Sequence, residues 1–118
     1  VESLLKAVSE IARILEKDGT LLIIMNHPVF QSPGSGPVTL ESPDPDVIWG
    51  IGDYLTETSE LEKISPDLDV LYAHRTLSTY FNALSRENLM IQNVIEKPLP
   101  SGLSGIPELL IVLCRKVK

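Results

Sequence analysis

The sequence predicts an α/β fold with a core sheet of three main strands, two helices packed on it and a β-hairpin excursion. Apolar residues repeat at helical spacing in 2–17 and 77–87, and these repeats predict the helices. Apolar runs at 20–26, 89–96 and 108–116 predict the strands, and polar residues within 89–96 place that strand at an edge. The last strand follows a short connection and is apolar on both faces, so it is expected to be antiparallel and central.

The first helix and strand indicate a piece of a larger sheet. The helix is expected to stop at Asp18-Gly19, where the chain can turn back. The strand 20–26 is apolar on both faces, which predicts that both faces are covered, and His27-Pro28 ends it because proline cannot donate to the ladder. A chain that enters a helix directly at Val1 is expected to be a single partial domain over 1–118, the C-terminal half of a longer domain.

The middle of the chain is predicted to be the excursion. Residues 31–53 are rich in Pro, Gly and Ser, and such a long connection is usually functional or mobile. Segments 53–60 and 70–75 are predicted to pair as an antiparallel hairpin through a turn at ISPDLD. Thr76 can cap the second helix, and Asn88 can take the left-handed conformation that ends it.

Composition argues against several classes of function. The chain has 16 acidic and 10 basic residues and a net charge of −6, so no nucleic-acid partner is expected. No apolar run approaches the roughly 20 residues that span a bilayer, so no membrane partner is expected. The single cysteine, Cys114, can form neither an internal disulfide nor a thiolate metal site, which fits a reducing cytoplasm.

Four passages together resemble class I S-adenosylmethionine-dependent methyltransferases that act on small molecules. They are IARILEKDGTLLIIMNHPVF at 11–30, IGDYLTE at 51–57, YAHRTLSTYFNAL at 72–84 and IEKPLP at 95–100. The resemblance covers nearly the whole chain. It implies the C-terminal part of a Rossmann-like methyltransferase sheet, whose final antiparallel strand lies between the two before it. It also implies S-adenosylmethionine as cofactor of the intact protein and a small-molecule methyl acceptor as its partner.

The cofactor-binding signature of these enzymes is not found in the chain. That signature is a strand leading into a G-x-G-x-G loop, with an acidic residue ending the next strand. Here GSG at 34–36 lies between prolines and GIG at 50–52 leads into DYLTE, so both are interpreted as loop glycines. We therefore expect the cofactor-binding half to lie outside 1–118 and the isolated chain to be inactive.

Five residues are candidates for the substrate side. His27 follows the first strand at the sheet edge where ligands bind, so it could act as the catalytic base, or it could simply end the strand through a backbone hydrogen bond. His74 and Arg75 stand where a strand enters a helix, and Arg75 could clamp an anionic substrate or pair with a surface acid. Trp49 and Tyr54 lie in or beside the connection 31–53, and Trp49 could stack on substrate as a lid or plug the hairpin into the core.

The function classes that stay open are an enzyme fragment and a non-catalytic assembly or binding module derived from the same fold. Methyl transfer mainly requires alignment of the reactants, so little strict catalytic sequence is expected.

The two histidines are far apart and have no evident carboxylate partner, so no metal site is predicted. Tyr80 and Phe81 are interpreted as core. An uncovered apolar sheet face and the edge of strand 20–26 predict that the isolated chain self-associates.

Overall fold

A computed structural model describes residues 2–39, 47–99 and 105–118. The chain divides into two compact units. The first unit comprises Val1–His27 and Leu77–Lys118, and the second unit comprises Pro28–Thr76. The second unit is therefore an insertion between the first strand and the second helix of the first unit.

The described chain forms two helices and seven strands. In chain order they are α1 (Glu2–Ile14), β1 (Thr20–Asn26), β2 (Gly36–Thr39), β3 (Val47–Gly50), β4 (Thr58–Ser65), β5 (Leu68–His74), α2 (Leu77–Arg86), β6 (Leu89–Lys97) and β7 (Leu109–Lys116). The predicted mixed α/β class with two helices is confirmed. The turn-rich connection predicted over 98–107 lies in part outside the described residues.

The sheet of the first unit has the strand order β1-β7-β6. The last strand, β7, is central and pairs antiparallel with both neighbours, as expected from its apolar character. Strands β1 and β6 therefore run in the same direction and end at the same edge of the sheet. A register shift between Ile91 and Asn93 interrupts the outer strand β6, which is consistent with the polar residues there.

The hydrophobic core lies on one face of this sheet. Both helices contribute to it, and β7 contributes its even-numbered apolar residues; the buried members are Val8, Ala12, Ala83, Leu84, Leu89, Leu110, Val112 and Cys114. Burial on one face is what the amphipathic helices require, because each has one apolar stripe.

Only one face of β1 is covered within the described residues, and the expectation that both faces are covered in the whole domain stays a prediction. Leu21, Ile23 and Met25 pack against the core, whereas Leu22 and Ile24 on the other face are 57% and 61% exposed. Both described helices pack on the same side, so no helix of the described chain covers the outer face of the sheet.

Helix α1 ends at Ile14, three residues before the predicted end. The Lys116 ammonium of β7 donates to the carbonyl oxygens of Ala12 and Leu15, at 2.5 and 2.8 Å, and so satisfies carbonyls that lose their helical partners. Asp18 takes the left-handed conformation with φ of 67°, so the predicted turn is in the right place although the helix is shorter. Asn88 does the same after α2, with φ of 59°.

The excursion contains more strand than the sequence predicted. The predicted connection 31–53 includes the antiparallel pair β2–β3, and residues 40–46 lie outside the described residues. The predicted hairpin forms, but its strands are β4 and β5 rather than 53–60 and 70–75. A two-residue turn at Pro66-Asp67 sets this register, because Ser65 pairs directly with Leu68.

The two glycine pairs lie together at the base of the β2–β3 hairpin. Gly36 pairs with Gly50, and the Gly52 amide donates to the Ser35 hydroxyl at 2.8 Å. A Cβ atom added at Gly52 would lie 2.0 Å from the carbonyl oxygen of Pro33. Neither pair joins a strand to a helix, so the structure gives these glycines a place in the hairpin and not in a phosphate-binding loop.

We expect Gly52→Ala to destabilise the second unit by about 1–3 kcal/mol, because backbone must move to admit the methyl group. Gly36→Ala is the matched control, since no atom lies within 4 Å of a Cβ added there. Urea unfolding followed through the fluorescence of Trp49, the single tryptophan, measures both. Equal stability of the two variants would contradict the close approach at Gly52.

Candidate functional site

His27 lies at the carboxyl end of β1, where the sequence placed it as a candidate base. Its side chain is buried, and Nε2 lies 2.5 Å from Oε2 of Glu96, whose side chain is half exposed. Glu96 is the last residue but one of β6, which ends at the same edge of the sheet. The parallel course of β1 and β6 thus brings together two residues that are far apart in sequence.

Glu108, just before the central strand, fixes the backbone around this pair. The His27 amide donates to the Glu108 carbonyl oxygen and the Glu108 amide donates to the Lys97 carbonyl oxygen, both at 3.0 Å. The Glu108 side chain is itself buried, and its Oε2 accepts a hydrogen bond from the Leu99 amide at 3.0 Å. These hydrogen bonds link the ends of β1, β6 and β7, and they hold in place the backbone that carries His27 and Glu96.

The His27–Glu96 pair can orient an imidazole for proton transfer. With an ionised carboxylate, Nε2–H of His27 donates to Glu96, which selects one orientation of the ring. An imidazole held by a carboxylate is a recurring arrangement for a general base. Sequence reasoning missed this partner: the motif IEKPLP was noted as a strand end, but its glutamate was not recognised as facing His27.

His74 and Tyr54 lie together in the second unit. The His74 side chain is buried, its Nε2 donates to the Tyr54 carbonyl oxygen at 2.7 Å, and the two rings meet edge to face at 5.7 Å. Nearby, the Thr76 amide donates to the Glu57 carboxylate at 3.3 Å. Arg75 is half buried between His74 and Thr76. The arrangement ties the end of β5 to the segment before β4; a role of His74, Arg75 or Tyr54 in binding substrate stays a prediction.

Trp49 packs on Phe30 of its own unit. The two rings stack with centroids 4.1 Å apart and planes at 12°, and the indole N–H donates to the Phe30 carbonyl oxygen at 3.1 Å. These contacts lie within the second unit, and the alternative in which Trp49 plugs the hairpin into the core stays a prediction. A contact of Trp49 with substrate stays a prediction.

An apolar cavity of about 190 Å³ lies between the two helices and the sheet in the first unit. Tyr80 and Phe81, which were interpreted as core, line it together with residues of α1, β1 and β7. Its lining surface is entirely apolar. A site that orients a reacting molecule needs a few placed polar groups, so this cavity is a less suitable reaction site than the edge at His27.

Within 2–39, 47–99 and 105–118, no group of three or more His, Cys, Asp or Glu side chains is placed to hold a metal ion. Among the helices described, none has the length and apolar character needed to cross a membrane.

Cys114 lies fully buried in β7, and burial raises the pKa of its thiol above the ordinary value. We expect a disulfide reagent such as dithionitrobenzoate to label it only after unfolding. Because the folded-state pKa is the higher one, the thiol stabilises the fold below its unfolded pKa of about 8.5, and this contribution is lost as pH rises further. Labelling at pH 8 with and without urea tests the burial, and rapid labelling of the folded chain would contradict it.

The fold was compared with those of solved structures. A protein of Listeria monocytogenes assigned to the S-adenosylmethionine-dependent methyltransferases matches 97% of this chain and 55% of its own, with 24% identity and a TM-score of 0.79. An S-adenosylmethionine-dependent methyltransferase of Mesorhizobium loti matches 98% of this chain and 56% of its own, with 23% identity and a TM-score of 0.75. The chain has a methyltransferase-like fold.

A methyltransferase of Clostridium acetobutylicum shows a weaker likeness, with 10% identity and a TM-score of 0.52. This chain spans about half the length of each of these structures, so the methyltransferase-like fold is shown for one part of such a domain. No protein-family model and no curated protein matches the sequence.

Proposed function

We propose that this chain forms the substrate side of an S-adenosylmethionine-dependent methyltransferase that methylates a small molecule. The supporting observation is the fold likeness over 97% of the chain, together with an oriented histidine at the strand ends where α/β sheets bind ligands. The described residues do not supply the glycine-rich cofactor loop, because both glycine pairs belong to the β2–β3 hairpin. In this proposal, the cofactor is held by residues outside the described chain.

The part of the reaction assigned to this chain is the handling of the acceptor's proton. A hydroxyl or amine that gains a methyl group must lose a proton, and we assign its removal to His27. Glu96 acts through His27: its carboxylate holds the ring and stabilises the imidazolium after proton transfer. His27 is thus the proposed catalytic residue, and Glu96 is a positioning residue.

Variants of the natural full-length protein test these roles. His27→Gln is expected to lower kcat by about 10²-fold or more, the scale of general-base catalysis, with little change in the KM for the cofactor. Glu96→Gln should lower kcat less, because the amide oxygen still accepts a hydrogen bond from the ring but carries no charge to stabilise the imidazolium. Glu60→Gln, an exposed carboxylate on β4, is the matched control. Unchanged kcat in both site variants would contradict the assignment.

The proposal also concerns location and partners. We place the protein in the cytoplasm, because that compartment keeps thiols reduced and Cys114 is a free, buried cysteine. The proposed partner is a small-molecule methyl acceptor. The competing hypothesis is a non-catalytic assembly module, and the exposed apolar residues of β1 support it. A full-length protein that shows no S-adenosylmethionine-dependent activity would favour this hypothesis.

A further inference from the structure

Glu108 lies beside His27, on the face of the sheet that the chain's own helices cover. The β1–β7 register pairs Asn26 with Leu109, so His27 and Glu108 are the next cross-strand pair and share one face. Both side chains are almost fully buried, at 2% and 4% exposure. A buried carboxylate needs hydrogen-bond partners, so the partners of Glu108 indicate what its side chain does.

One partner of the Glu108 carboxylate is the backbone just beyond the end of β6. The ladder between β6 and β7 ends at the pair of Lys97 and Leu109. Because Pro98 has no amide hydrogen, Leu99 carries the first backbone donor after the strand, and Glu108 Oε2 accepts it at 3.0 Å. The Glu108 amide also donates to the Lys97 carbonyl oxygen at 3.0 Å. Glu108 therefore holds the chain on both sides of Pro98.

This attachment bears on Glu96, the residue before Lys97. Glu96 pairs with Leu110, a core residue of the central strand, so its side chain lies on the same face as that of His27. Nε2 of His27 lies 2.5 Å from Oε2 of Glu96. A hydrogen bond weakens steeply with distance and angle, so a displacement of the backbone at 97–99 would weaken this one.

We propose that the Glu108 side chain is a positioning residue for the His27–Glu96 pair. By accepting the Leu99 amide it fixes the end of β6, and so it keeps the Glu96 carboxylate within reach of the imidazole. The effect depends on the reach of the Glu108 side chain and not on its charge. The catalytic consequence rests on the proposed function, whereas the geometry of the pair can be tested without it.

Two conservative variants of the natural full-length protein separate reach from charge. Glu108→Asp keeps the charge but is shorter by one methylene group, so its carboxylate no longer reaches the Leu99 amide. Glu108→Gln loses the charge but keeps an oxygen that accepts this hydrogen bond. The readout is the NMR signal of the Nε2 proton of His27 in protein with isotope-labelled histidine, assigned through His27→Gln. We expect this proton downfield in the parent and in Glu108→Gln, and shifted upfield or lost in Glu108→Asp.

Leu89→Ala is the matched control for the NMR measurement. Leu89 is almost fully buried at the other end of β6, so its truncation destabilises the same strand without changing Glu108. The downfield signal should persist in this variant. Loss of the signal in Leu89→Ala as well, or an unchanged signal in Glu108→Asp, would overturn the proposal. Loss in Glu108→Gln alone would also overturn it, because Glu108 would then act through its charge.

Kinetics of the same full-length variants test the catalytic consequence. We expect Glu108→Asp to lower kcat about tenfold with little change in the KM for the cofactor, because only the proton-accepting pair is misplaced. In the His27→Gln background it should lower kcat no further, since it acts through the imidazole. Equal losses in both backgrounds would overturn the positioning role. If His27→Gln itself leaves kcat unchanged, the proposed function fails, and the NMR signal still decides the role of Glu108 in the geometry.

Discussion

Leu110→Ala is expected to lower the free energy of unfolding of the first unit by about 2–5 kcal/mol. Leu110 is almost fully buried in the central strand, where it packs into the core formed with both helices. Truncation removes apolar contacts and leaves a cavity that the close-packed surroundings cannot fill. Urea unfolding monitored by far-UV circular dichroism, at a concentration below that of self-association, measures the change.

Leu22→Ala is the matched control for this prediction. It removes the same atoms from the same sheet, but on the face away from the helices, where the parent side chain is already exposed. Its cost should stay within about 0.5 kcal/mol, as for most surface substitutions. Similar losses for the two variants in the monomer would contradict the one-sided core.

The 118-residue chain alone is expected to bind S-adenosylmethionine no more tightly than about 10 micromolar, a binding free energy of roughly −7 kcal/mol. The reason is that its glycine pairs lie at the base of the β2–β3 hairpin, where Gly36 pairs with Gly50, and do not form a cofactor-binding loop. Isothermal titration calorimetry measures this directly. A dissociation constant well below 10 micromolar would mean that the described residues contain a cofactor site that we have not recognised.

The elements of the first unit could be predicted from sequence because each carries a periodic apolar pattern. Strand β1 was predicted with its observed bounds, and the left-handed conformation of Asn88 was predicted from its place after α2. The end of α1 could not be predicted, because Lys116, far away in sequence, supplies the hydrogen bonds at that end. Local sequence patterns predict that a helix or strand forms, whereas the residue at which a helix ends also depends on tertiary contacts.

The second unit was harder to predict because its strands are short or mostly exposed. Strand β4 has almost no buried residue, so it lacks the alternation that marks a strand with one buried face. The β2–β3 pair contains Pro37 and three glycines at or beside its strands, which suggested a loop. Pairing of glycine with glycine at the base of this hairpin depends on backbone approach and leaves little trace in hydropathy.

The candidate site could be predicted in part. His27 was recognised because a strand end is a local feature. Its partner Glu96 was missed because their proximity depends on the strand order, in which β1 and β6 flank β7 and end at one edge. The proximity of Glu96 to His27 could have been predicted from the IEKPLP motif and the central position expected for the last strand. Two strands that flank one antiparallel strand run in the same direction, so they end at the same edge of the sheet.

The most direct test of the proposed function is transfer of a labelled methyl group by the natural full-length protein. With S-adenosylmethionine carrying a tritiated methyl group and a panel of small hydroxyl- and amine-bearing acceptors, we expect label in at least one acceptor. We also expect that label to fall about 10²-fold in the His27→Gln variant. Absence of transfer to every acceptor, with no cofactor binding by the full-length protein, would contradict the proposal and leave the assembly module as the better description.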